Sequence, residues 1–523
     1  MRPLARPGRS WRTGAALLLS SALLVLTAVP ALAEEQHDPP PPFRLSGVAA
    51  EGRARSQVAA PAQSAALYAA AASASAALRI GSNTNVIGSS DVVQQESIAG
   101  VAVNTCNPGK QTAQNETTVA VNGSNLVAGA NDYRLYEASE NRYDGSGGFY
   151  RSSNGGGSWT AGFLPGLVRG NAAAPGPYES AGDPAVAAGP ANVFWYANLA
   201  FNRGDDANGV AVSRSADGGA TWATGYVIQT SAADGAKLFN DKEWIAADPV
   251  NPNVAYVTWT QFHYNSAGRY LSSPIVVSKT TDGGAHWSSP RQISSYTRSQ
   301  GSVVQVDHAG FVHVTFETFA SGHDAVAYAV SRDGGATFQT RILAVVNDIP
   351  SPLPGAAFRT NSFPAFALDG SGLHVVWSNW NGTDADVLYI RSADGGLSWS
   401  APRTIGGGSG DQFFPWVGAG GGNVYASWLN RTNGDVYTAS VAGSPNGGVV
   451  WTAPATLSSA PSDVSEGNLF GYPNCAPSFI GDYTGIAVGA DGAAHPIWTD
   501  IRIGNDTSTT ADQDPYTATV TLR

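Results

Sequence analysis

An all-β fold built from repeated four-stranded units is what the 523-residue sequence predicts, on three observations. The first is composition: 61 Gly, 31 Pro and 10% aromatic residues against 13% charged ones favour tight turns and aromatic strands over long surface helices. The other two are internal repeats that run along the chain in step with one another.

One repeat is an octet, Ser/Thr-x-Asp/Asn-x-Gly-x-x-Trp/Phe, at Ser152–Trp159, Ser215–Trp222, Thr280–Trp287, Ser331–Phe338, Ser392–Trp399 and Ser444–Trp451. It reads as a hairpin turn: the Asp or Asn side chain bonds turn amides, Gly supplies a positive φ, and the aromatic ring packs beneath the turn. These residues are structural and receive no catalytic role. The second repeat is an apolar strand, a turn and a strand rich in Val, Trp and Tyr, in seven copies. Their turns align on Asn122, Gly189, Asp248, Asp307, Asp369, Gly420 and Gly489, at spacings of 67, 59, 59, 62, 51 and 69 residues. An octet follows the second strand in the first six copies. Each unit therefore reads strand A, turn, strand B, loop, strand C, octet turn, strand D, and seven such blades make a β-propeller.

The remaining elements follow in order. Arg2, Arg6, Arg9 and Arg12 precede an apolar run from about Ala15 to Val29 that ends in Ala31-Leu32-Ala33, so residues 1–33 read as a secretory signal peptide. There is no adjacent Arg pair, which suits a bacterial Sec-type signal, and no second apolar run follows. The expectation is a secreted protein with no membrane attachment after cleavage. Residues 34–82, Pro-rich at Pro39–Pro42 and then Ala/Ser-rich, read as a linker or pro-segment, and residues 83–523 as the propeller. The seventh unit lacks an octet, so a segment around Asn85–Val103 is expected to supply its missing strand and close the ring. Cys106 and Cys475 both precede strand A, of the first and last blades, which are neighbours in a closed ring. A Cys106–Cys475 disulfide is expected in an exported protein.

The octets resemble the Asp-box (BNR) repeats of the sialidase-like β-propeller superfamily, from about Asn115 to the C-terminus. Sialidases of that superfamily have six blades, which makes six the alternative count. The resemblance implies an exo-glycosidase that attacks with a neutral Tyr paired with Glu and grips the substrate carboxylate with three arginines. The superfamily's Arg-Ile-Pro motif is missing, since Arg79-Ile80 is followed by Gly81.

Removing the signal leaves 25 basic residues against 40 acidic ones, a net −15 that excludes nucleic acid as a partner. Function is sought where a propeller converges side chains, at the starts of the A strands around the axis. A glycosidase needs a proton donor and a second carboxylate, and Asp183, Asp241, Glu243 and Asp482 are the candidates. Tyr483 is the best-placed tyrosine for a sialidase-like nucleophile. Arg359, Arg431 and Arg502 would form the carboxylate-gripping triad, because guanidinium forks bind carboxylates bidentately. Trp380 is a candidate sugar-stacking platform. The histidines have no metal-type spacing and no Gly-x-Ser-x-Gly elbow or P-loop is present, so neither a catalytic metal nor another cofactor is expected. A structural Ca²⁺ is left open, through Asp205-Asp206 or Asp384 with Asp386. The sequence thus predicts a monomeric, secreted, sialidase-like glycoside hydrolase whose partner is an extracellular glycan or polysaccharide. The alternatives are a non-catalytic glycan- or protein-binding propeller and a polysaccharide lyase.

Overall fold

The computed structural model describes residues 76–90, 113–137, 142–465, 479–502 and 513–523 of the protein. Its strands form seven antiparallel sheets. Their innermost strands are Gln114–Asn122, Ser180–Ala188, Leu238–Ala247, Ser299–Val306, Ala365–Asp369, Asp411–Gly420 and Gly485–Val488. Each inner strand packs against the next, and the last packs against the first. The architecture is a closed seven-bladed β-propeller.

The core lies between blades rather than within one. Middle strands are therefore covered on both faces: all eight residues of Phe194–Phe201 are buried, and Trp195, Trp259, Trp377, Trp428 and Trp498 sit fully buried at second-strand positions of five blades. This explains why those strands read as continuous apolar runs instead of alternating ones. The sole α-helix among the described residues is the single turn Ala232–Gly235. None of those residues belongs to a helix long and apolar enough to cross a membrane.

The ring is closed by the N-terminal segment, from a place earlier than expected. Leu78–Ile80 pairs with Val520–Leu522, and Thr84–Asn85 with Asp514–Thr517, both in the seventh sheet. Asn85 lies in the expected segment, but the longer of the two pairings falls within the stretch read as linker. Three residues, Leu-Arg-Ile, are too few to show a strand period of two. Residues 91–112, with Cys106, and residues 466–478, with Cys475, lie outside the described residues, as does the segment 1–33, so the disulfide and signal peptide remain expectations.

The octets form the turns predicted for them. In the second blade Ser215 Oγ donates to Asp217 Oδ1 at 2.7 Å and accepts from Gly219 N–H at 2.9 Å. Asp217 Oδ1 also accepts from Thr221 N–H at 2.9 Å. The aromatic ring does more than fill the space under its turn: Trp222 caps Gly219 O through Nε1 at 3.1 Å and packs on Phe149 of the preceding blade, centroids 5.7 Å apart. Trp287 meets Trp195, Trp399 meets Tyr328 and Trp451 meets Tyr389 in the same way. Each of these four octets thus glues its blade to the one before. The rings are half-buried, so Trp222→Ala is expected to cost about 2–3 kcal/mol, less than the about 3–5 kcal/mol of a fully buried ring. Chemical denaturation should register this loss while glycan binding is unchanged; the reverse pattern would move the octets to the functional face.

Candidate active site

The site is built by one bend repeated in the inner strands. Their pairing slips between Asn115 and Thr118, Gly182 and Ala185, Asp241 and Trp244, Gln300 and Val303, and Phe413 and Trp416. Inside these bulges Glu116, Asp183, Lys242, Gly301 and Phe414 take φ values of 56°, 51°, 57°, 65° and 49°. Such a conformation strains any residue but glycine, by about 1–3 kcal/mol, and persists where the surrounding structure imposes it. A bulge re-aims its side chain. Each of the five stands six positions before the turn anchor of its repeat, and the same offset in the other two blades gives Phe363 and Tyr483. Together they bring the seven blades to the axis: Lys242, Gly301, Phe363, Phe414 and Tyr483 line one pocket, Asp183 lines its neighbour, and Glu116 pairs with Lys242.

The first pocket, open at its mouth, is walled by Trp244, Trp416, Phe363, Phe414 and Tyr483, with Lys242, Glu243, Ser302, Asn361 and Asp482 among its polar groups. Trp244 and Trp416 lie with ring centroids 4.6 Å apart. The second pocket is polar and adjoins it through Lys242 and Asp482; Asp183, Asp241, Gln300 and Arg359 line it. Arg359, on the connection between blades four and five, reaches blade seven with a two-pronged bond to Asp482, at 2.9 Å from Nε and 2.7 Å from Nη2. Lys242 Nζ lies 3.3 Å from Asp482 Oδ2, 3.7 Å from Glu116 Oε1 and 4.4 Å from the centre of the Tyr483 ring. Burial alone would push the Lys242 ammonium down, but Glu116, Asp482, Asp183 and Asp241 outweigh it and hold its pKa above the ordinary lysine value. Asp183 accepts the Lys242 backbone N–H at 3.1 Å. Gln300 Nε2 stands 3.5 Å from Asp241 Oδ2.

Glu243 is the exception among these charges. It is 2% exposed, and neither carboxyl oxygen meets a hydrogen-bond donor of another residue. Burial first, and then the negative charges of Asp183 and Asp241, push its pKa well above the ordinary carboxyl range. A carboxyl in that state holds its proton more tightly than an exposed one and can donate it.

The structure brings together six of the nine residues proposed for catalysis or substrate binding: Asp183, Asp241, Glu243, Asp482, Tyr483 and Arg359. The arginine triad does not assemble. Arg431 is buried, 2.8 Å from Asp411 Oδ2 and bonded to Gly434 O and Pro354 O, so it ties the loop before blade five to blade six. Arg502 is held by both oxygens of Asp500 and lies over the Tyr516 ring. Trp380 packs half-buried against the core that contains Phe413 and lines neither pocket. Tyr483 is at the axis, but its hydroxyl donates to Pro184 O at 3.1 Å and burial pushes its pKa well up, so passing its proton to a base as it attacks is disfavoured. Of the loop acids considered for Ca²⁺, Asp205 accepts from Asn202 Nδ2 and Ala207 N–H, and Asp386 from Asn381 Nδ2. Among the described residues, the acids whose oxygens stand close enough together to share a cation are Glu317, Asp324 and Asp348. The sequence places Glu116 and Lys242 on the axial face without assigning them a role, and leaves Phe363, Phe414 and Trp416 out; for Phe363 and Phe414, the shared six-residue offset from the repeat turns was the signal that could have found them.

Fold and site together define a seven-bladed propeller whose axial mouth combines carboxyl groups, ion-paired cations and aromatic walls. No protein-family model matches the sequence, and no curated protein is similar to it. Solved structures of similar fold include a protein of unknown function from Dyadobacter fermentans, 12% identical, covering 85% of this chain and 99% of that one at a TM-score of 0.44. A Hadza microbial sialidase is 12% identical over 75% of this chain and 73% of that one, TM-score 0.43. An α-L-arabinanase from Penicillium chrysogenum, solved with arabinobiose, is 14% identical over 69% of this chain and 98% of that one, TM-score 0.44. At these identities the likeness is one of fold alone.

Proposed function

We propose that the protein is an exported glycoside hydrolase acting on extracellular glycan at the axial mouth, with Glu243 as proton donor and Asp241 as the second carboxylate. The observation that carries this reading is Glu243: a carboxyl on the wall of an aromatic pocket, unbonded to any other residue, whose burial and flanking acids favour its protonated form. General acids of glycosidases are tuned in this way, while the partner carboxylate stays more polar in its surroundings. Asp241 fits the partner role, being half-buried in the polar pocket. Asp183 and Asp482 act around them, the first raising the Glu243 pKa and the second anchoring Arg359 and Lys242. The aromatic walls suit the apolar faces of sugar rings.

The test is to incubate the chain from residue 34 onward with a panel of oligosaccharides and follow products by mass spectrometry. Products carrying one added water are expected. An unsaturated product, lighter by one water than the hydrolysis product, would mark a lyase instead, and retention of glycan with no cleavage would mark a binding propeller. Asp241→Asn is expected to lower turnover by about 10²–10⁴-fold, as loss of an acid or base does. Full activity in that variant would move the second role to Asp183.

A further inference from the structure

We infer that the axial site takes a glycan free of acidic groups and excludes sialic and uronic acids, an inference that rests on the glycoside-hydrolase reading of the same site. Five carboxyl groups meet here, those of Glu116, Asp183, Asp241, Glu243 and Asp482, against two cations, Lys242 and Arg359. Even with Glu243 counted as neutral, four carboxylates stand against two cations. The site keeps a net charge of about −2, at a place where burial weakens screening.

Both cations are already engaged. The planar fork of Arg359 is spent on the two oxygens of Asp482, and the Lys242 ammonium lies between Asp482 and Glu116. A carboxylate on an entering sugar would have to take Arg359 from Asp482, whose side chain is 10% exposed and would lose its strongest partner while still buried. Among the described residues no second arginine lines either pocket. Arg431, Arg502, Arg134 and Arg203 are each paired with an acid, Asp411, Asp500, Asp132 and Asp144. An uncharged sugar meets none of these costs. The Trp244, Trp416, Phe363 and Phe414 walls accept its C–H faces, while the carboxylates and Asn361 accept or donate to its hydroxyls.

The experiment is a binding titration of the mature chain, read by intrinsic tryptophan fluorescence and on a glycan array. It uses neutral oligosaccharides, glucosamine oligomers, and the same neutral glycans capped with sialic acid or glucuronic acid. Neutral and amino-bearing probes should be retained, and acidic capping of a bound glycan should weaken it by at least about tenfold. Asp482→Asn releases Arg359 and should shift the ratio toward the acidic probes. Asp241→Asn removes one charge at the half-buried mouth and leaves the Asp482 contacts to Arg359 and Lys242 in place, and should shift it the same way by less. Acidic probes that bind as tightly as their neutral counterparts, or are cleaved faster, would overturn the inference while leaving the hydrolase reading intact. A protein that retains no glycan of any charge overturns both.

Discussion

Replacing Glu243 by glutamine is expected to lower turnover by about 10²–10⁴-fold while making the protein more stable at pH 8, not less. The two effects have one cause. Glu243 is buried, and the acids beside it raise its folded pKa above the unfolded value of about 4.3. In the window between those two values the native state binds a proton that the unfolded state releases, so stability falls as pH rises through it. The stabilising share is fully present below the unfolded pKa and is lost on the way up to the folded one. The glutamine side chain has the shape of a protonated carboxyl and no proton to lose, so the Glu243→Gln variant should lack this slope. Urea titrations of both proteins at pH 5 and pH 8 measure it: a small gain for the variant is expected at pH 5 and a much larger one at pH 8. Hydrolysis should also decline on the alkaline side in the wild type as Glu243 ionises. A variant that keeps full turnover removes Glu243 from the proton-donor role. One that is less stable at pH 8 shows that the carboxylate has a partner.

What the sequence reveals here depends on how local the physics is. The octets are legible because the hydrogen bonds that shape each turn lie within four residues, as with Ser215 to Gly219. The blade count is legible because the A–B turn recurs at each inner strand. The charge partners are not, since they are set by the pairing register between strands. Asp411 stands directly opposite Arg431 on the ladder, 20 residues away in sequence, and that alignment takes Arg431 out of the axial site. Arg502 could have been read more closely: Asp500-x-Arg502 and Asp132-x-Arg134 repeat one spacing, and in both the acid clamps the arginine beside it. The bulges are invisible to an alternation pattern because they break it, yet they decide which residues face the axis. Lys242 illustrates this most directly, since an unbulged strand would send it to the opposite side from Asp241 and Glu243.

That lysine is where the fold is expected to be most sensitive. Lys242→Met should cost about 3–5 kcal/mol, because it strips an ammonium from buried acids while leaving their charges in place. Glu116 would retain Asn131 and the Asp482 backbone N–H, and Asp482 would retain Arg359. Those bonds do not replace the missing charge: the ammonium lies within 4 Å of both acids, which stand on blades one and seven while the lysine stands on blade three. The methionine fills a similar apolar volume against the Tyr483 and Phe363 rings, so the loss is electrostatic rather than a cavity. Two consequences separate this account from simple misfolding. Glu116→Gln added to Lys242→Met should recover part of the stability, since one uncompensated charge is gone. The single variant should also approach the wild type in acid, where Glu116 and Asp482 take up protons, and fall furthest behind above neutrality. Denaturant midpoints for the wild type, the single variant and the double variant at pH 5 and pH 8 test both. A loss that is the same at the two pH values, and that Glu116→Gln fails to reduce, would mean Lys242 holds the axis by packing and not by charge.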